Sequence, residues 1–264
     1  MSIRSGIRSS LRSSIRSGLN PGAWTSDATS GKAVPANASE WDSVMSSSGI
    51  STGSPIAAWQ LQEAAGNFAD SIGAFTLTAS AFSYQKAIAG WTRKGAGSAA
   101  DASAATASLT GGAIGDIQAA SALFLAYVQL AAAPAATRDV LALGGSTSCR
   151  AAQVTITPAY KATPNDASAT ATGAANAGTA VRPVILHVNK AASVWRVITD
   201  QEIVQPTPWT APPVSNALIA IGSVLTSTPS FSVLYAACFR GTAAELSNAQ
   251  IKTMLQTLGW TVAW

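Results

Sequence analysis

Residues Ala122–Leu130 are apolar at every position but Gln129. Successive side chains of a strand point to opposite faces, so such a run is stable as a strand only if apolar material covers both of its sides. It falls well short of the ~20 apolar residues of a membrane span. The chain that contains it must therefore be layered. Its 264 residues are enough for one large layered domain or two small ones.

The rest of the chain supplies matching pieces. Short apolar segments at Ile56–Leu61, Phe75–Ala79, Ala87–Trp91, Val140–Leu143, Gln153–Thr157, Leu218–Ile221 and Phe231–Phe239 read as strands. Gly144-Gly145-Ser146 reads as a turn, and Val184–Asn189 with Val194–Thr199 as a hairpin around a four-residue loop. Residues 95–120 are rich in Ala, Ser, Thr and Gly and read as loops and short strands, and 161–180 as a long surface loop. In the last strand Phe231, Val233, Tyr235, Ala237 and Phe239 are expected on one face. Two helices are expected. Ser39-x-x-Asp42 resembles a capping box before Trp41, Val44 and Met45, with Ser48-Gly49 as the stop. Ser247-x-x-Gln250 caps a second, whose stripe is Ile251, Met254, Leu255 and Leu258 and whose stop is Gly259. The fold class is all-β, an antiparallel jelly-roll β-sandwich with an extended N-terminal arm and a short C-terminal helix.

The arm carries the charge. Residues 3–19 repeat a four-residue phrase, (Ile/Leu)-Arg-Ser-(Gly/Ser), that contains no acid. Its Arg4, Arg8, Arg12 and Arg16 account for the whole formal charge of +4, and without them acids and bases balance. A helix would smear a period of four around its surface. An extended chain puts Ile3, Ile7, Leu11, Ile15 and Leu19 on one edge and the arginines on the other, with a reach of about 60 Å. Such a ribbon suits docking to an acidic protein partner; nucleic-acid or phosphate contact and a solvated tail are the alternatives. An acid-free Arg/Ser start also describes a transit peptide, but those are irregular and this repeat is strict. Three segments follow: the anchoring arm 1–20, a linker with a short helix over 21–54, and the jelly roll 55–264.

The segment Ala58-Trp59-Gln60-Leu61-Gln62-Glu63-Ala64-Ala65-Gly66, followed by Asp70-Ser71, resembles the opening strand of laminin-G/concanavalin-A-like jelly rolls. The hairpin 184–199 is similar to that family's central strands, and Phe231–Phe239 with Ala244-Glu245-Leu246-Ser247-Asn248-Ala249-Gln250-Ile251 to its closing strand and helix. The (Ile/Leu)-Arg-Ser repeat before such a jelly roll resembles virion structural proteins of tailed bacteriophages. That resemblance implies a capsid-decoration, head-fibre or tail component, located on the virion and assembled in the host cytoplasm. It implies virion partners for the arm, a homo-oligomer with a trimer as the expectation, and host-glycan contact as the outward task. The docking residues expected are Ile3, Arg4, Ile7, Arg8, Leu11, Arg12, Ile15 and Arg16.

Chemistry is sparse. Paired carboxylates for glycoside hydrolysis have one candidate, Asp200 and Glu202, read as a solvated turn pair. His187 is the only histidine, so neither a His-based triad nor a multi-His zinc site can be built within one chain. Gly111-Gly112-Ala113-Ile114-Gly115 lacks the Lys-Ser/Thr of a phosphate loop. The acids do not cluster, so no metal and no cofactor is expected. Cys149 and Cys238 read as reduced, half-buried thiols. Trp59, Trp91 and Trp195 read as packing, and Trp260 and Trp264 as cover for one end of the core or a contact with a neighbouring copy. Trp209, in the proline loop 206–213, is the candidate for glycan or partner contact. The expectation is a non-enzymatic protein, with a free carbohydrate-binding module or a glycanase as alternatives and no nucleic-acid partner.

Overall fold

The computed structural model describes residues 25–50, 53–73, 75–98, 108–113, 121–145, 148–164, 170–189, 194–206, 218–222, 230–241 and 246–264. It is an antiparallel jelly-roll sandwich of two sheets. The first runs β13 (Ile203–Val204), β12 (Val194–Thr199), β11 (Arg182–Asn189), β6 (Ser121–Leu130), β15 (Phe231–Gly241), β4 (Lys94–Ser98), β3 (Phe82–Ala87), with β1 (Gly53–Trp59) also paired to β15. The second runs β10 (Ala171–Thr172), β9 (Tyr160–Pro164), β8 (Ser148–Val154), β7 (Arg138–Gly145), β14 (Leu218–Gly222), β5 (Ser108–Ala113), β2 (Thr78–Ser80).

The apolar run forms β6 and is covered on both faces, as its composition requires. Phe124, Ala126, Val128 and Leu130 enter the core between the sheets. Leu123, Leu125 and Tyr127 enter a second core on the outer face of the first sheet. That outer layer is made by α1 (Ala38–Ser47) and α2 (Asn248–Thr257), with Ala33, Val34 and Trp260. Residues 33–50, within the segment expected to be a linker, thus pack into the same body.

Several expectations are corrected. The cap of α1 is Asn37, two residues before Ser39: its side chain accepts from Glu40 N (3.0 Å), and Glu40 Oε1 accepts from Asn37 Nδ2 (3.1 Å). Asn37 caps the Glu40 N–H, but Glu40 answers the Asn37 side-chain amide and the Ala36 N–H rather than the Asn37 backbone, so the expected reciprocal box is not formed. The residues of β15 do not share one face. A bulge between Val233 and Tyr235 inserts Leu234, so Phe231 and Val233 face the sandwich core, and Tyr235, Ala237 and Phe239 face the helices. Residues 88–91 form the turn after β3, with Gly90 at φ 80 and Trp91 N donating to Ile88 O (3.2 Å). Strand β8 ends at Val154, and Thr155 N donates to Ala159 O (2.9 Å) to turn the chain into β9. All of that strand but Tyr160, and β10, lie inside the stretch expected to be a loop. The expected 184–199 hairpin forms in full register, Val184 opposite Thr199 to Asn189 opposite Val194. The Ser247–Gln250 capping box forms as expected, and Gly259 takes the left-handed stop at φ 89. Cys238 is fully buried, more than expected, and burial pushes its thiol well above the usual range.

Candidate functional site

Arm residues Ile3 to Arg16 and the proline-loop Trp209 lie outside the described residues. The described chain begins at Thr25, within the segment 21–54 that follows the expected arm, and its start is called the arm root below. Thr25 donates from N and Oγ1 to the two carboxylate oxygens of Glu40 (2.9 and 3.1 Å), and Ala36 N also donates to Glu40 (3.0 Å). Two residues on, Asp27 is 2% exposed. It accepts from Thr29 N (3.1 Å), Ser30 N (2.8 Å), Thr92 N (2.9 Å), Thr92 Oγ1 (2.7 Å) and Arg93 N (2.9 Å). Burial alone would raise its pKa; the donors from Ser30, Thr92 and Arg93 outweigh that and hold it well below the usual carboxylate range.

From there the chain is fastened to the middle of the first sheet. Tyr127 Oη donates to Ala33 O (2.8 Å) and Tyr235 Oη to Pro35 O (2.8 Å). Trp41 Nε1 donates to Tyr235 Oη (2.6 Å), and Gln60 Nε2 to Pro35 O (2.9 Å). Ala33 N closes the layer onto Leu258 O (3.0 Å). Neither Asp27 nor Glu40 was singled out from sequence. Glu40 carries a local signal, three residues after Asn37, whereas Asp27 acts 65 residues away.

The candidate catalytic groups have structural tasks. Asp200 and Glu202 flank the tight turn between β12 and β13, closed by Thr199 N to Glu202 O (2.9 Å). Asp200 is not solvated: it is 7% exposed and takes both of its oxygens to Arg182 Nη1 (3.1 and 2.9 Å). Glu202 accepts from Ala174 N (2.7 Å) and lies against Gly173, where any Cβ would collide with its carboxylate. The two carboxylates thus face separate donors, Arg182 for Asp200 and the Ala174 N–H for Glu202. His187 is buried, and its Nδ1 accepts from Arg196 Nε (3.2 Å). Burial, then the adjacent guanidinium, lowers its pKa to about 3, so the ring is neutral. Arg196 in turn ties Asn248 Oδ1 (2.6 Å) and Leu246 O (2.8 Å), joining β12 to the start of α2. Gly111 and Gly112 lie in β5, and Ile114 and Gly115 lie outside the described residues.

The tryptophans expected as packing do pack. Trp59 and Trp195 are buried, and Trp59 Nε1 donates to Phe75 O (2.6 Å). Trp91 is half-buried against Tyr127 and Trp260 (ring centroids 6.0 and 6.3 Å). Trp260 and Trp264 cover the outer face, under the ammonium groups of Lys32 (4.9 Å) and Lys252 (5.7 Å). Trp264 Nε1 donates to Thr199 O (2.8 Å).

The sequence matches no protein-family model and no curated protein. Solved structures do resemble it. Trypanosoma rangeli sialidase in complex with sialic acid is 9% identical at a TM-score of 0.57, over 84% of this chain and 38% of that one. The binding domain of Botulinum neurotoxin DC in complex with SialylT is 9% identical at 0.51, over 77% and 51%. The same domain in complex with rat synaptotagmin II is 10% identical at 0.51. The likeness is one of fold. The chain spans a third to a half of these proteins' lengths.

Proposed function

We propose that this chain is a non-enzymatic structural protein of a bacteriophage particle. It is a capsid-decoration, head-fibre or tail component, held to a capsid or tail partner by its N-terminal arm and displaying the sandwich, as a homo-oligomer on the virion. The observation that carries this reading is the division of charge: the arm holds the entire formal charge of +4 in four evenly spaced arginines, beside a body that balances its acids and bases. The arm root supports it, because Glu40 and Asp27 fasten the start of the body where a tether must transmit force. The acids support it too. Asp27, Glu40, Glu63, Asp70, Asp139, Asp200 and Glu202 each hold a backbone or side-chain donor of the fold. The test is deletion of residues 2–19. The deleted protein should fold and stay soluble yet be missing from purified particles, and its normal incorporation would refute the proposal.

A second reading, a glycan-binding module, is favoured by the likeness to sandwiches in proteins solved with sialic acid and with SialylT. In the first reading it supplies the outward task, host-glycan contact. A glycan array blank for the full chain would remove it.

A further inference from the structure

Beside the arm root stands a cation with an unusual setting. Arg93 is held by its own backbone N–H on Asp27 Oδ2 (2.9 Å). Its guanidinium is gripped by neutral groups: Nη2 donates to Gln60 O (3.3 Å) and to Gln60 Oε1. With its amide oxygen turned inward, Gln62 accepts from Arg93 Nε (3.1 Å) and Nη2 (3.3 Å). Gln85 joins the cluster by donating its amide to Gln62 O. Among the described residues no carboxylate lies within ion-pair distance of Arg93, nor of Lys86 and Lys94, which are exposed on the β3–β4 hairpin. Nη1 makes no hydrogen bond among the described residues, so one side of the fork is unpaired.

The backbone is strained to build this. Leu61, between the two gripping glutamines, has φ 55, and Gln85, in the β3 bulge, has φ 54. Neither is glycine, and left-handed L-residues of this kind persist where surrounding structure imposes them. A guanidinium oriented by neutral acceptors keeps its donors aimed, with Asp27 acting on it through space rather than in an ion pair, and such a fork is suited to recognise a carboxylate.

We propose that the Arg93 cluster is a second docking point for the arm's partner, receiving a carboxylate of an acidic protein surface. The inference deepens the proposed function and rests on its anchoring reading. Its location decides the class of ligand. Asp27, which holds Arg93, lies seven residues after the expected end of the arm at residue 20, so a partner acidic enough to take four arginines is tethered within reach of Arg93. Arm and cluster then act as linked sites, the arm raising the effective concentration of the second contact.

The test titrates a hexaglutamate peptide into the full chain and follows the Arg93 Nε–H and Gln62 amide signals by NMR. Saturable shifts are expected that weaken from 50 to 300 mM salt. Arg93→Gln should reduce affinity at the Gln62 amide signal about tenfold or more while shifts in the arm persist. The exposed reversals Lys86→Glu and Lys94→Glu, neither of which removes a hydrogen bond or ion pair among the described residues, should each weaken binding several-fold. Unmoved Arg93 signals, or reversals without effect, overturn the proposal. So do shifts produced by 3′-sialyllactose and not by hexaglutamate, which would make this a glycan site. The anchoring reading is judged separately: a 2–19 deletion that enters particles normally refutes that reading, whereas its loss from particles with an inert Arg93 refutes only this one.

Discussion

Asp27→Asn is the sharpest test of how the arm root is fixed. The substitution preserves shape and replaces one acceptor oxygen by an amide that donates. In the better of its two orientations the remaining oxygen faces Thr92 N, Thr92 Oγ1 and Arg93 N, leaving the N–H groups of Thr29 and Ser30 opposite another donor. Hydrogen bonds to a charged acceptor contribute roughly 1.5–3 kcal/mol each, and at 2% exposure water does not replace them. The expected loss is therefore about 3–5 kcal/mol at pH 7, read from urea denaturation followed by tryptophan fluorescence. Exchange of the Thr92 and Arg93 amide hydrogens should accelerate with it.

The same carboxylate fixes the pH dependence. Its folded pKa is depressed, so its stabilisation is complete well above the unfolded value of about 3.9 and is lost as pH falls below it. The gap between wild type and Asp27→Asn should thus narrow by about 1.4 kcal/mol per pH unit below about pH 4. A deficit under 1 kcal/mol at pH 7, or a gap that does not close in acid, would refute the reasoning.

Further outcomes are expected elsewhere. His187, with a folded pKa of about 3, is also depressed, but as a base. The unfolded ring takes a proton below about pH 6.5 and the native ring does not, so native stability should fall by on the order of 1 kcal/mol per unit from there towards pH 3. His187→Gln should flatten that slope in denaturation curves at pH 7 and 5. Trp41→Ala removes a fully buried indole and its bond to Tyr235, and should cost about 3–5 kcal/mol by the same assay. In Gly95→Ala the added Cβ would lie 2.3 Å from Val233 O, a backbone atom, so a lower melting temperature by calorimetry is expected.

Much of the fold was legible because its signals are local. An all-apolar β6, a hairpin with matched strands and a Ser–Gln capping box each declare themselves within a dozen residues. The bulge in β15 did not, since Leu234, Tyr235, Ala236, Ala237 and Cys238 are all apolar and a skipped residue leaves no mark in such a run. Strand β9 (Tyr160–Pro164) and the true start of β8 at Ser148 are built of small and polar residues that carry weak periodicity. The site was less legible than the fold. Gln60, Gln62, Gln85 and Arg93 are separate in sequence and ordinary in type, and only the folded chain brings them onto one guanidinium. Asp27 likewise gains its meaning from Thr92 and Arg93.

The two-faced character of β6 and the position of the arm root are one problem with one solution. A strand apolar on both sides needs an outer cover, and part of that cover is the segment 33–50 that follows the arm. The cover is not laid on an edge. Tyr127 of β6 and Tyr235 of β15 donate to the carbonyls of Ala33 and Pro35, and burial keeps both phenols protonated as donors by pushing their pKa values up. An edge strand under load can peel one hydrogen bond at a time. A segment fastened across two central strands, with Trp41 behind it and Leu258 O beside it, must break several buried contacts together. Under the anchoring reading proposed above, the residues that complete the core are the same residues that would carry the pull of the arm.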